Sequence, residues 1–169
     1  MQERLRLSSL LRGIPFILWL WSMPFLAAAT DLHWLWDDRC AECHGHSAEF
    51  ARKYLTADKN QLQGRHHVQD LQLFLGNHYT PQRDVDAVYD MLLAQVKTAP
   101  RYRDECSTCH GGAAAFIRVA IALHEGTLLS RATNRPIVEF MQSHRGLGPD
   151  DIEFFVELLN RVAAEVNRE

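Results

Sequence analysis

The chain has 169 residues and a formal net charge of −3. That length is enough for one or two small domains with real cores. The charge balance excludes the strongly basic surface that nucleic-acid binding would need.

Residues 1–29 stand apart. Arg4, Arg6 and Arg12 give a basic start, and the apolar run GIPFILWLWSMPFLAAA ends on small residues at Ala27 to Ala29. A basic region, a short apolar region and an A-x-A-like end predict a secretory signal peptide, cleaved after Ala29. The alternative is a retained membrane anchor, for which the run is close to the lower limit of about 17 residues. Membrane association follows only if residues 1–29 are retained. Cleavage removes three arginines and one glutamate, so 18 basic and 21 acidic residues become 15 and 20, a net charge of −5. Export also places the cysteines outside the reducing cytosol.

The segment DLHWLWDD (31–38) follows. Trp34 and Trp36 are expected to cover a cofactor edge, to pack on a terminal helix, or simply to fill core. Next comes CAECHGH (40–46), which returns in altered form as CSTCHGG (106–112). The two units contain all four cysteines. A zinc ribbon would place its CxxC pairs about 15–20 residues apart, whereas Cys43 and Cys106 are 63 positions apart. Disulfides within each CxxC would not require a histidine after each pair. C-x-x-C-H is the attachment sequence of c-type haem: two thiols add to the two vinyl groups on one porphyrin edge, and the adjacent imidazole faces the iron. Two complete units behind a signal peptide predict two covalent haem c groups, held by Cys40 and Cys43 and by Cys106 and Cys109, with His44 and His110 as proximal ligands.

Sliding the chain by 66 positions superposes much more than these motifs. Asp38 falls on Asp104, Phe50 on Phe116, Arg52 on Arg118, Leu62 on Leu128, Arg65 on Arg131, Phe74 on Phe140 and His78 on His144, with no insertion needed. The chain therefore reads as two copies of one haem-binding module, 30–97 and 98–169, joined at KTAP (97–100), where Pro100 discourages a continuous helix. Each module reads as all-α. In the second copy helices are predicted over 113–124, ended by Gly126, over 136–144, and over 148–166, where Gly-Pro-Asp-Asp starts the helix and Ile152, Phe155, Leu158, Leu159 and Val162 form a buried stripe. The first copy follows the same plan over 47–57, 68–78 and 84–97. A module of this size has little apolar mass for a core, so the haem is expected to complete it.

The second axial ligand should occupy equivalent positions in the two copies. Met91 pairs with Glu157 and Met141 with Leu75, so neither methionine repeats. His78 and His144 repeat, each 34 residues after its proximal histidine, and His/His ligation at both haems is the expectation. Rival ligands are Met141 for the second haem and His66 or His67 for the first. His33, His46 and His124 lack a repeated counterpart and read as surface or interface histidines. Arg65 and Arg131 also repeat and are the candidate partners of haem propionates, since an arginine fork suits a carboxylate; surface ion pairing is the alternative.

These residues resemble two-haem c-type cytochromes whose modules are similar to compact class I cytochrome c domains. The resemblance rests on Cys40, Cys43 and His44, on Cys106, Cys109 and His110, and on the order of ligand, loop and final helix. It implies a periplasmic electron carrier and not an enzyme, passing single electrons between redox partner proteins. One departure matters: class I domains usually offer methionine as distal ligand, and the matching position here is histidine. The acidic chain implies docking to a basic patch on the partner. The alternatives are a haem-bearing subunit of a membrane-bound oxidoreductase complex and a small peroxidase-like dihaem enzyme, which would need an open iron site and acid–base groups.

Overall fold

A computed structural model describes residues 30–168. The predicted signal peptide, 1–29, lies outside the described residues. The elements run α1 (Leu32–Arg39), α2 (Ala41–His44), α3 (Ser47–Tyr54), β1 (Leu55–Asp58), β2 (Gln61–Gly64), α4 (Leu71–Gly76), a 3-10 turn at Gln82–Asp84, and α5 (Val85–Lys97). The second half repeats them as α6 (Arg101–Glu105), α7 (Ser107–His110), α8 (Ala113–Ala120), β3 (Ile121–His124), β4 (Thr127–Ser130), α9 (Ile137–Met141) and α10 (Pro149–Val166). The protein is thus mostly helical, and the boundaries of α7, α8, β3 and β4 fall 66 residues after those of α2, α3, β1 and β2. Among the described residues no helix is long and apolar enough to cross a membrane.

The expectation of an all-α fold needs correction. The helices predicted over 47–57 and 113–124 stop at Tyr54 and Ala120, and the chain turns extended at Leu55 (φ −116°, ψ 155°) and Ile121 (φ −117°, ψ 139°). Each helix is followed by a two-residue hairpin: Leu55 pairs with Gly64 and Asp58 with Gln61, while Ile121 pairs with Ser130 and His124 with Thr127. The reason lies in the turn. Lys59 and Asn60, and Glu125 and Gly126, all have positive φ, the conformation that lets a two-residue turn match the twist of the strands it joins. Gly126 does end helix-forming sequence, but it does so from within a hairpin. The strands bury one apolar side chain each, Leu55 and Leu62 in one copy and Ile121 and Leu128 in the other.

Among the described residues there are two apolar cores. One gathers Leu32, Trp36, Leu62, Val88, Met91 and Leu92 with their neighbours; the other gathers Tyr102, Ile117, Leu128, Phe155, Leu159 and Val162. Between them the chain leaves α5 at Lys97, where the Thr98 hydroxyl donates to the Ala94 carbonyl (2.7 Å), and enters α6 after Pro100. The halves also meet through α1, which packs Leu32 and Trp36 into the first core and touches α10 of the second half. Arg118 donates to both oxygens of Asp31 (2.7 and 3.0 Å). His33 Nε2 lies 2.9 Å from Glu165, and Arg168 donates to the buried carboxylate of Asp84 at 2.7 Å. The Thr30 amide donates to the Arg168 carbonyl (3.1 Å), so the two described ends of the chain touch.

Candidate functional site

Each CxxCH unit forms a single helical turn. In the first, the Cys40 carbonyl accepts from Cys43 N–H (3.2 Å) and His44 N–H (2.9 Å), and the second has the same bonds at 3.2 and 3.0 Å. Residues three and four apart share a helix face, so each turn carries its two cysteines and its histidine on one side. Cys40 and Cys106 are half-buried, and Cys43 and Cys109 are exposed. Burial pushes the Cys40 and Cys106 thiols up from their usual range. The turns end at Gly45 (φ 67°, ψ −156°) and Gly111 (φ 69°, ψ −160°), a backbone region open essentially to glycine alone. In the first copy, Trp36 fixes the exit by donating from Nε1 to the Gly45 carbonyl (2.8 Å).

The candidate distal histidines come to the same place from the other side. His78 follows α4 and His144 follows α9, and each is succeeded by a residue with positive φ, Tyr79 (58°) and Arg145 (59°), which turns the chain toward the last helix. The rings of His44 and His78 lie 6.1 Å apart between centroids, inclined at 58°. Those of His110 and His144 lie 5.8 Å apart, also at 58°. Burial, and then the neighbouring His78, hold His44 below the ordinary histidine range, which keeps its imidazole neutral and its lone pair available.

Four phenylalanines frame these pairs. Phe50 meets His44 at 4.6 Å and Phe116 meets His110 at 4.7 Å, while Phe74 and Phe140 each lie 4.7 Å from His78 and His144. The sequence showed them as repeated positions but assigned them no role; invariance under the 66-residue shift was the signal. In the second module the space beside the pair is a mainly apolar cavity of about 200 Å³, lined by Cys106, His110, Phe116, Phe140 and His144 among others.

Comparison with protein-family models, with curated proteins and with solved structures finds no match.

The remaining candidates are placed as follows. Met141 is a core residue at the position of Leu75, and both are buried. His66 is exposed; His67 stacks on the outer face of the Phe74 ring (4.0 Å) and sits 3.3 Å from Asp70. Trp36 is buried in the first core, whereas Trp34 is exposed beneath the Arg118 guanidinium (4.7 Å). Arg65 and Arg131 are exposed, just beyond β2 and β4, and neither forms an ion pair among the described residues. The two CxxC units belong to different modules, and among the described residues no group of three or more His, Cys, Asp or Glu side chains gathers to hold a metal ion. A zinc site shared by the two units therefore has no support.

Proposed function

We propose that the protein is a dihaem c-type cytochrome that carries single electrons between periplasmic redox partners, with His44 and His78 ligating one iron and His110 and His144 the other. The observation that carries this reading is the repeated pair of neighbouring imidazoles, with centroids 6.1 and 5.8 Å apart at one common angle, each pair including the histidine of a CxxCH turn. A metal–imidazole nitrogen distance of about 2 Å on each side, plus the two ring radii, places the centroids about 6 Å apart. The fit extends to the thiols, which stand on the same face as the proximal histidine, and to the apolar cavity walled by aromatic rings.

A haem c held in this way supplies a one-electron Fe(III)/Fe(II) couple whose potential follows its axial ligands. The chain contributes the rest. His44 with His78, and His110 with His144, would hold the iron from short, hydrogen-bonded turns, so a change of charge would require little movement of the chain. Phe50, Phe74 and Phe116, all partly buried, would limit water at the rings and lower the local polarity. Imidazole on both faces sets a lower potential than a histidine–methionine pair would. Arg65 and Arg131 are free to pair with propionates. The acidic chain favours a basic docking patch on each partner, so transfer rates should fall with added salt.

The test is absorption and electron paramagnetic resonance spectroscopy of the holoprotein and of His78→Ala and His144→Ala. The native protein should be fully low-spin, without a methionine-to-iron band, and bind carbon monoxide poorly when reduced. Each variant should convert one of its two haems to high spin. A native chain with a high-spin haem, or variants that leave both haems low-spin, would refute the ligand set.

A further inference from the structure

The shift by 66 relates the two modules closely, and one surface breaks the relation. Around the distal histidine of the first module, Val68, Leu73 and Tyr79 are 50%, 69% and 77% exposed. Their counterparts are Asn134, Glu139 and Arg145. The second module does expose Val138 and Phe140 in this region, but it sets them among Arg135, Glu139 and Arg145. Residues 68–82 hold a single Asp, Glu, Lys or Arg, which is Asp70.

The three apolar side chains belong to one surface. Leu73 stands on the side of α4 away from the buried Leu71 and Leu75. The near-parallel rings of His67, Phe74 and His78 form a row, 4.0 and 4.7 Å between successive centroids. Val68 follows His67 at one end, and Tyr79 lies edge-on to His78 at the other (5.2 Å). The row has no equivalent in the second module, where Thr133 stands for His67. Exposed carboxamides, Gln69, Gln72 and Asn77, lie among the apolar residues. Gln72 donates to Asp86 (3.3 Å) and Asn77 to the Leu73 carbonyl (2.8 Å), which leaves their oxygens as acceptors. Charges of both signs flank the face, Arg65 and Arg83 against Asp70 and Asp86, all exposed.

What such a face can accept follows from charge. Without residues 1–29 the chain carries 20 acidic and 15 basic side chains, so two copies repel each other in most orientations. This face has balanced flanking charges, three large apolar groups, and carboxamides that both donate and accept. It is therefore compatible with itself, and a face that meets its own image makes a closed two-fold pair. We propose that the surface of Val68, Leu73 and Tyr79 docks a second copy of this chain through the same surface, bringing two first-module histidine rows together. Three apolar side chains per copy make the dimer weak and concentration-dependent, in the class of transient redox encounters. The association stands on the surface alone; its use, electron exchange between copies, rests on the dihaem reading.

The test is sedimentation equilibrium of the holoprotein from micromolar to millimolar concentration. The mass should rise from one chain toward two and stop there. Added salt should strengthen the association, because it screens the repulsion between acidic copies. Leu73→Glu and Tyr79→Arg each install the residue found 66 positions on, where the same local fold accommodates it. Each should weaken dimerisation by about tenfold or more with unchanged circular dichroism, and Val138→Gln in the second module should change nothing. Haem NMR line broadening from exchange in partly reduced protein should follow the dimer population across these variants. The proposal is overturned by a chain that stays monomeric at about 1 mM, by a folded Leu73→Glu protein that dimerises like the native one, or by association that salt abolishes. A native monomer that binds phosphatidylcholine vesicles in place of a second copy overturns it as well. The spin state of the native protein tests the haem reading separately, so a high-spin dimer and a low-spin monomer tell the two failures apart.

Discussion

Asp31 does two jobs, and they can be separated. Its carboxylate caps α1 by accepting from His33 N–H (2.9 Å) and Trp34 N–H (3.1 Å), and it pairs with both arms of Arg118 from the other module. The two side chains retain only 21% and 13% exposure, which limits screening by solvent and salt. Loss of an N-cap costs about 1 kcal/mol, and loss of a hydrogen-bonded, partly buried charge pair costs about 1–2 kcal/mol more. Asp31→Ala should therefore lower the unfolding free energy by about 2–3 kcal/mol. Asp31→Asn keeps a good cap and should lose only the charge-pair part, about 1–2 kcal/mol. Urea unfolding of the holoprotein measures both, and a double-mutant cycle with Arg118→Gln isolates the coupling from the Trp34 contact that Arg118 also makes. A coupling below about 0.5 kcal/mol, the value of an exposed pair, would refute the view that this clamp holds the modules together.

Other perturbations follow from the same geometry. Gly45→Ala forces a side chain into backbone space reserved for glycine, and should destabilise the holoprotein by about 1–3 kcal/mol, read by thermal unfolding together with the spin state of one haem. Leu159, 1% exposed in the second core, should cost about 2–5 kcal/mol when replaced by alanine, measured by urea unfolding. Asp151 accepts from Arg101 (2.7 Å) and from the Gly148 amide (3.1 Å) at the start of α10, and these bonds hold its carboxyl below the usual carboxylate range. Its stabilisation is thus present above the unfolded carboxylate pKa of about 4 and is lost as pH falls through the depressed value. The stability gap between native protein and Asp151→Asn should shrink on acidification. If haem completes each small core, as proposed, a chain with all four cysteines changed to alanine should lose most of its helical circular dichroism; a native-like spectrum would overturn that.

The internal repeat made much of this architecture legible before any coordinates. Equivalent residues were bound to occupy equivalent places, so the pairing of His78 with His44 and of His144 with His110 could be anticipated from position alone. The buried stripe of α10 was equally plain, because its apolar residues recur at helical spacing. The hairpins were hidden for a physical reason. Ile121 to His124 is apolar and continues the helical pattern of α8, and nothing in Ala, Leu or Ile opposes a helix there. The decisive residues are the turn pairs Lys59–Asn60 and Glu125–Gly126, of which Gly126 and, more weakly, Asn60 advertise a positive φ. The divided duties of Trp34 and Trp36 were also unreadable, since their spacing does not say which ring faces the core.

The meeting of Thr30 with Arg168 brings the two ends of the described residues together. At one seam α5 passes to α6 through Thr98, Ala99 and Pro100; at the other α10 meets α1 without a peptide link, through the Thr30–Arg168 hydrogen bond and the His33–Glu165 contact. The same junction is thus built once with a peptide link and once without, as in a symmetric dimer whose subunits were later fused. A circular permutant that joins residue 168 to residue 30 and opens the chain at Ala99 would reverse the order of the modules while keeping their contacts.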